Sequence, residues 1–164
     1  MNKLRFIVLL STICFTLNAQ TASLDDFYEK YKHRTELVNV SVPGFLIQFA
    51  ASVAQIEAED EMGRLSMELL KDVKKLKVLT GEKRRVKYSH IITLFDDLAK
   101  EGFEELMSVR SEDTDFRFLI RERKNWIRNV VILAEEEEDF TLLSLKTKMH
   151  LDDLSAVINE SMQN

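Results

Sequence analysis

Apolar and polar positions along this chain follow two periods, mostly helical up to Gly102 and strand-like after it. Between Leu24 and Arg34, Phe27, Tyr28 and Tyr31 recur at helical spacing and predict a short amphipathic helix. Leu37 to Val42 alternates instead, with Val38, Val40 and Val42 on one face, and reads as a strand. Pro43 suits the first turn of a helix, where a missing N–H costs nothing. Phe45 to Val53, ending at Ile56, is almost continuously apolar, and its length predicts a buried helix rather than a membrane span. Met62, Leu65, Leu69, Val73 and Leu76 then step by three and four, predicting an amphipathic helix from Glu59 to Leu76. Lys77 to Thr80 is read as a short strand. Tyr88, Ile91, Ile92, Phe95, Leu98 and Ala99 define a helix from Tyr88 to Lys100, with Gly102 placed for a left-handed C-terminal cap.

After Gly102 the period is two. Phe103 to Arg110, Asp115 to Arg121, Trp126 to Ala134 and Phe140 to Thr147 predict a four-stranded meander. In the second of these, Phe116, Phe118 and Ile120 share one face and Arg117 and Arg121 the other, which predicts one buried and one wet face. The third is apolar on both faces from Val130 to Leu133, so it belongs at the centre of a sheet. Asp152 or Asp153 is placed to cap a last helix carrying Leu154, Val157, Ile158 and Met162. Helices early and strands late predict an α+β domain from about Leu24 to the end. The expected sheet is mixed, largely antiparallel, of five to six strands, with helices packed on one face.

The first 19 residues stand apart from this domain. Lys3 and Arg5 precede an apolar run from Phe6 to Leu17, and Ala19 before Gln20 offers a small residue for cleavage. That is the layout of a secretory signal peptide, and the apolar run is too short for a membrane span. Export to the periplasm or the cell exterior is therefore expected, with cleavage between Ala19 and Gln20. Cleavage there takes 19 of the 164 residues and leaves 145, enough for one core without staples. Losing Lys3 and Arg5 moves the formal charge from −5 to −7, which argues against general nucleic-acid affinity. Cys14, the only cysteine, lies inside the leader, so the cleaved chain would have no disulfide, thiolate metal site or cysteine nucleophile. Lipid attachment at Cys14 is not expected, because Ile13 stands where a small residue is needed.

The arrangement resembles the domain of unknown function 4252 family of small exported bacterial proteins. The residues that carry the resemblance are Phe27-Tyr28-Glu29-Lys30-Tyr31, Val40-Ser41-Val42-Pro43-Gly44-Phe45-Leu46, Gly102-Phe103-Glu104-Glu105-Leu106-Met107 and Leu151-Asp152-Asp153-Leu154. Relatives usually have glycine shortly before that last motif; Thr147 here implies a different turn. The resemblance implies an envelope protein of a Gram-negative bacterium and transfers no catalytic residues.

Candidate chemistry is sparse. His33, His90 and His150 show no helical metal-ligand spacing, and no glycine-flanked serine, Walker loop or dinucleotide fingerprint occurs, so no cofactor or metal is implied. Gly44 is the one glycine at a strand-to-helix switch, and Pro43 beside it removes an N–H that an anion cradle would use. Glu135 to Asp139 reads as a solvated hairpin loop. The strongest unevenness is basic: Lys71, Lys74, Lys75, Lys77, Lys83, Arg84, Arg85 and Lys87 are accompanied only by Asp72 and Glu82. Opposite the acidic loop, such a patch would make the surface dipolar and suit an anionic surface or an acidic envelope partner. Tyr28, Tyr31, Phe45, Phe49 and Trp126 are candidates for a ligand groove, or for core. The expected function is non-enzymatic binding of a macromolecular partner or an envelope surface. The alternative is a periplasmic hydrolase assembled from carboxylates such as Glu104, Glu105, Glu122 and Asp152.

Overall fold

A computed structural model describes residues 21–57, 70–111 and 114–155. Helix α1 (Ala22–Tyr31) leads into β1 (Leu37–Pro43), α2 (Gly44–Glu57) and β2 (Val73–Glu82). A 3₁₀ turn at Lys83–Arg85 precedes α3 (Tyr88–Lys100). Strands β3 (Glu104–Arg110), β4 (Asp115–Arg123), β5 (Trp126–Glu135) and β6 (Asp139–His150) follow, and residues 151–155 turn back into helix. The six strands form one open antiparallel sheet in the order β1-β2-β6-β5-β4-β3, so the chain is an α+β fold. β5 and β6 occupy its centre, where strands apolar on both faces belong.

The register sorts the side chains into two faces. Leu37, Leu79, Leu142, Leu133 and Leu119 point to the same side and form the main core with Leu24, Phe27, Tyr28 and Tyr31 of α1 and Ile91, Leu94 and Leu98 of α3. On the other side Ile120, Ile127, Val130 and Met149 are buried, with Phe118, Ile132, Leu145, Leu151 and Leu154 packed against them. Helices α1 and α3 thus cover one face, and the helical turn at 151–155 covers part of the second. The α3 C-terminus closes as a Schellman cap: Gly102 has φ +83°, its N–H donates to Ala99, and the Phe103 N–H donates to Leu98. Phe103 itself is buried in the main core, which is the apolar contact that accompanies such caps.

Several elements differ from the pattern-based expectation. Val73 and Leu76 belong to a ten-residue strand, not to the end of a helix, and β2 is far longer than Lys77 to Thr80. Pairing on both sides explains this: Leu76 lies opposite Val42 and Leu145, and two ladders outweigh a local helical spacing. Of the remainder of that expected helix, residues 70 and 71 are helical, while Met62, Leu65 and Leu69 lie outside the described residues, as do Val157, Ile158, Met162, the leader and Cys14. Pro43 ends β1, an edge strand, rather than opening α2. Thr147 marks no chain reversal: β6 continues through it to His150, but with a β-bulge, the step from Lys146 to Met149 lying opposite the shorter step from Asn129 to Ile127. The Thr147 hydroxyl donates to the Asp72 carbonyl at 3.1 Å. The arginines of β4 are on the opposite side from the one anticipated. Arg117 lies over the Phe95 ring at 5.1 Å and Arg121 over the Phe103 ring at 5.3 Å, so both share the face covered by helices.

Gly44 fixes how α2 meets the sheet. A Cβ on it would sit 2.6 Å from the backbone carbonyl oxygens of Val73 and Lys74, and Gln48 one turn on donates to the Val73 carbonyl. Gly44→Ala should therefore cost about 1–3 kcal/mol in urea unfolding, as overpacking against a backbone does. An unchanged midpoint would show that α2 does not rest on the start of β2.

Candidate functional site

The basic stretch is divided by the length of β2. Lys74, Lys75 and Lys77 stand at its start, whereas Lys83, Arg84 and Arg85 form the 3₁₀ turn beyond its end. At 3.3 Å per strand residue, Lys75 and Lys83 are roughly 26 Å apart along the chain. The far group is paired. Arg84 and Arg85 reach Glu82 at 2.7 and 3.1 Å, and Arg85 lies 3.7 Å from Glu36. Hydrogen bonds from both arginines hold the Glu82 carboxyl down at about 2. Lys83 lies 3.3 Å from Glu135, and its backbone N–H donates to the Glu138 carbonyl. The acidic and basic segments are therefore neighbours, not opposite poles, and the dipole read from the sequence is absent at this end. Glu135 is also no loop residue: it ends β5 with 6% exposure, leaving 136–138 as the turn. Lys87 is exposed at the N-terminus of α3.

The near group has a different environment. Lys77 is held 2.6 Å from Asp25 and over the Tyr28 ring at 5.0 Å. Lys75 stands directly across the β2–β6 ladder from Lys146, which in turn stands across from Asn129, and Asn129 across from Arg121. Both lysines are exposed, and neither has an ion-pair partner among the described residues. Arg121 is legible in the sequence as a polar-face residue, whereas Lys146 and Asn129 are not, because only the ladder register brings them beside Lys75.

Next to this cluster α2 presents its apolar side to solvent. Phe45, Leu46 and Phe49 are 67%, 48% and 70% exposed, while Gly44 and Ala51 on the opposite side of the helix are buried. This apolar run is expected to be buried; in the structure Gly44 and Ala51 are buried, with Gly44 against the start of β2, and the side bearing Phe45, Leu46 and Phe49 faces water. The candidate aromatic groove does not assemble. Tyr28 and Tyr31 are core, Phe45 and Phe49 are outside, and Trp126 packs edge-on against His150 at the far end of β5. No helix among the described residues is long and apolar enough to cross a membrane.

Elsewhere the candidate chemistry disperses. Glu104, Glu105, Glu122 and Asp152 are all exposed, on β3, the end of β4 and the last helical turn. Among the described residues no three histidine, cysteine or acidic side chains converge to hold a metal ion. His150 pairs with Asp152 at 3.0 Å. His90 has both ring nitrogens engaged, Nδ1 with the Tyr31 hydroxyl at 2.7 Å and Nε2 with the Lys30 ammonium at 3.0 Å. It lines a cavity of about 260 Å³ with Lys30, Asp26 and Asp97, but neither nitrogen is free to take a proton from a substrate. The arrangement pins α1 to α3.

Desolvation first, and then the Lys30 and Lys87 charges, lower the His90 pKa from its ordinary value. The native state therefore favours neutral His90, while the unfolded chain takes up that proton near pH 6.5. This contribution is complete above about pH 6.5 and is lost as pH falls toward the lowered native value. In urea titrations from pH 7.5 to 5, wild type should lose more stability than His90→Gln. Parallel curves would remove this role for His90.

No curated protein matches the chain. The family model described as a domain of unknown function (DUF4252) matches residues 31–157, from the last residue of α1 to past the end of β6. The chain belongs to this family.

Proposed function

We propose that the protein is exported into the envelope of a Gram-negative bacterium and there binds an anionic membrane surface without catalysing a reaction. The observation that carries the reading is the exposed stripe of Phe45, Leu46 and Phe49 beside Lys74 and Lys75. Apolar side chains that enter the headgroup region, next to lysines attracted by anionic lipids, are the ingredients of interfacial binding. Large exposed apolar side chains on neighbouring residues also need a reason in a water-soluble surface. Val38 and Val40 on the adjoining edge strand, 58% and 43% exposed, extend the apolar surface. The leader supports export, and the family resemblance supports the envelope setting.

Co-sedimentation with vesicles tests the reading. The chain lacking residues 1–19 should bind vesicles rich in anionic lipid, bind zwitterionic vesicles far less, and lose affinity as salt is raised. Phe45→Ser with Phe49→Ser should weaken binding at least tenfold without lowering the melting temperature, because both side chains are already in water. Lys74→Gln should weaken it about fivefold, at about 1 kcal/mol for each cation near the surface. Reversing Lys83, Arg84, Arg85 and Lys87 together should matter less, since the first three are already paired with carboxylates. Equal binding by wild type and the phenylalanine variant would overturn the membrane reading. Crosslinking in intact cells that captures one envelope protein through α2 would replace it with a protein partner.

A further inference from the structure

We propose that the cavity between α1 and the start of β2 is a binding site for a phosphate-class oxyanion, held by Lys75, Lys77, Lys146 and the side-chain amide of Asn129. The cavity has a volume of about 120 Å³, and these four residues line it together with Asp25 and Ser144. At about 30 Å³ per water molecule it holds about four waters, or one tetrahedral oxyanion.

Three features of this site favour an anion. Lys75 and Lys146 occupy directly paired positions of an antiparallel ladder, an arrangement in which like charges repel. Neither is relieved by a carboxylate among the described residues. Asn129 is only 6% exposed, and the one hydrogen bond of its side chain among the described residues uses the carbonyl oxygen. Guanidinium groups only donate, so Arg121 Nη2 fixes the Asn129 Oδ1 position and leaves the NH₂ group as the unpartnered end of a side chain lining the cavity. Behind it Arg121 Nη1 is buried with no acceptor, so the row from β2 to β4 carries an excess of donors. Among the described residues Asp25 is the one carboxylate of the lining, and it is committed to Lys77 at 2.6 Å. Three ammonium groups against one carboxylate leave a net charge of +2, which matches the dianion of a phosphomonoester or inorganic phosphate. Lysine ammonium groups, with three donors each, suit a ligand whose oxygens point in several directions.

The site shares Lys75 with the surface beside the α2 stripe but uses none of the stripe's apolar residues, and its test reads a different signal. ¹⁵N-labelled protein is titrated with inorganic phosphate, following the Asn129 side-chain amide and the backbone amides of Lys75 to Lys77. Saturable shifts should appear and weaken at least tenfold in Lys75→Gln with Lys146→Gln. That variant should melt at the same temperature as wild type or higher in phosphate-free buffer, because it removes a repulsion. Absence of saturation, equal affinity in the variant, or a lower melting temperature without phosphate would each overturn the site. Displacement of bound phosphate by vesicles bearing phosphomonoester headgroups assigns the ligand to lipid, and retention assigns it to a soluble phosphate. Phosphate binding retained in the Phe45→Ser, Phe49→Ser variant separates this site from the membrane surface.

Discussion

The pairing of β2 with β6 holds the two parts of this molecule together. Strands β3 to β6 form a meander from neighbouring sequence, but β1 and β2 alone would be a two-stranded ribbon, which is marginal in water. The β2–β6 ladder makes that ribbon part of a six-stranded sheet. Tyr28 sits across the same seam. Its hydroxyl lies 3.1 Å from the Lys77 carbonyl of β2 and 3.2 Å from the Leu142 carbonyl of β6, and burial raises its pKa so that it stays a donor. Asn39 of β1 donates to the Tyr28 carbonyl at 3.1 Å, tying α1 to the edge strand as well. The main core then assembles around a ring that touches both halves of the sheet.

The same seam brings the lysines together. With β2 held beside β6, Lys75 must face Lys146, and no choice of side-chain rotamer moves their backbones apart. A one-residue slip would relieve the pair, but it would also turn Leu79 and Leu142 out of the core. The hydrophobic register wins, because each fully buried leucine contributes about 1.5–3 kcal/mol whereas an exposed pair of charges interacts by about 1 kcal/mol or less. The cluster is thus a consequence of the fold's strongest constraint.

Much of this architecture is legible in the residues. Helix α3 has the bounds read from its apolar spacing and its Gly102 cap, and each strand of the meander lies within a few residues of its alternating run. Local period carries these elements. It fails at Val73 to Leu76, where spacing compatible with a helix is overridden by pairing to β1 and β6. It fails again for burial. Apolar content in α2 shows that a helix forms but not how much of it finds a partner, and Phe45 and Phe49 stay outside. Arg117 and Arg121 share the helix-covered side because their planar groups lie over Phe95 and Phe103, a contact between elements distant in sequence. The site was half legible: the density of lysine and arginine marks β2, while Lys146 and Asn129 enter only through the ladder.

Two basic groups of similar composition consequently have different fates. Lys83, Arg84 and Arg85 follow a strand end that meets Glu36, Glu82 and the 135–139 segment, and their charge is spent within the protein. Lys75 and Lys146 face one another across the ladder, with Pro43 and Asn129 as their other neighbours in register, and Asp25, the carboxylate of the cavity among the described residues, already belongs to Lys77. In a chain with formal charge −5, acidic residues are abundant enough that pairing could have been general. The facing lysines of β2 and β6 thus keep a positive field that the protein's own carboxylates do not offset, and the proposed oxyanion is a ligand of the sign and size that this field favours.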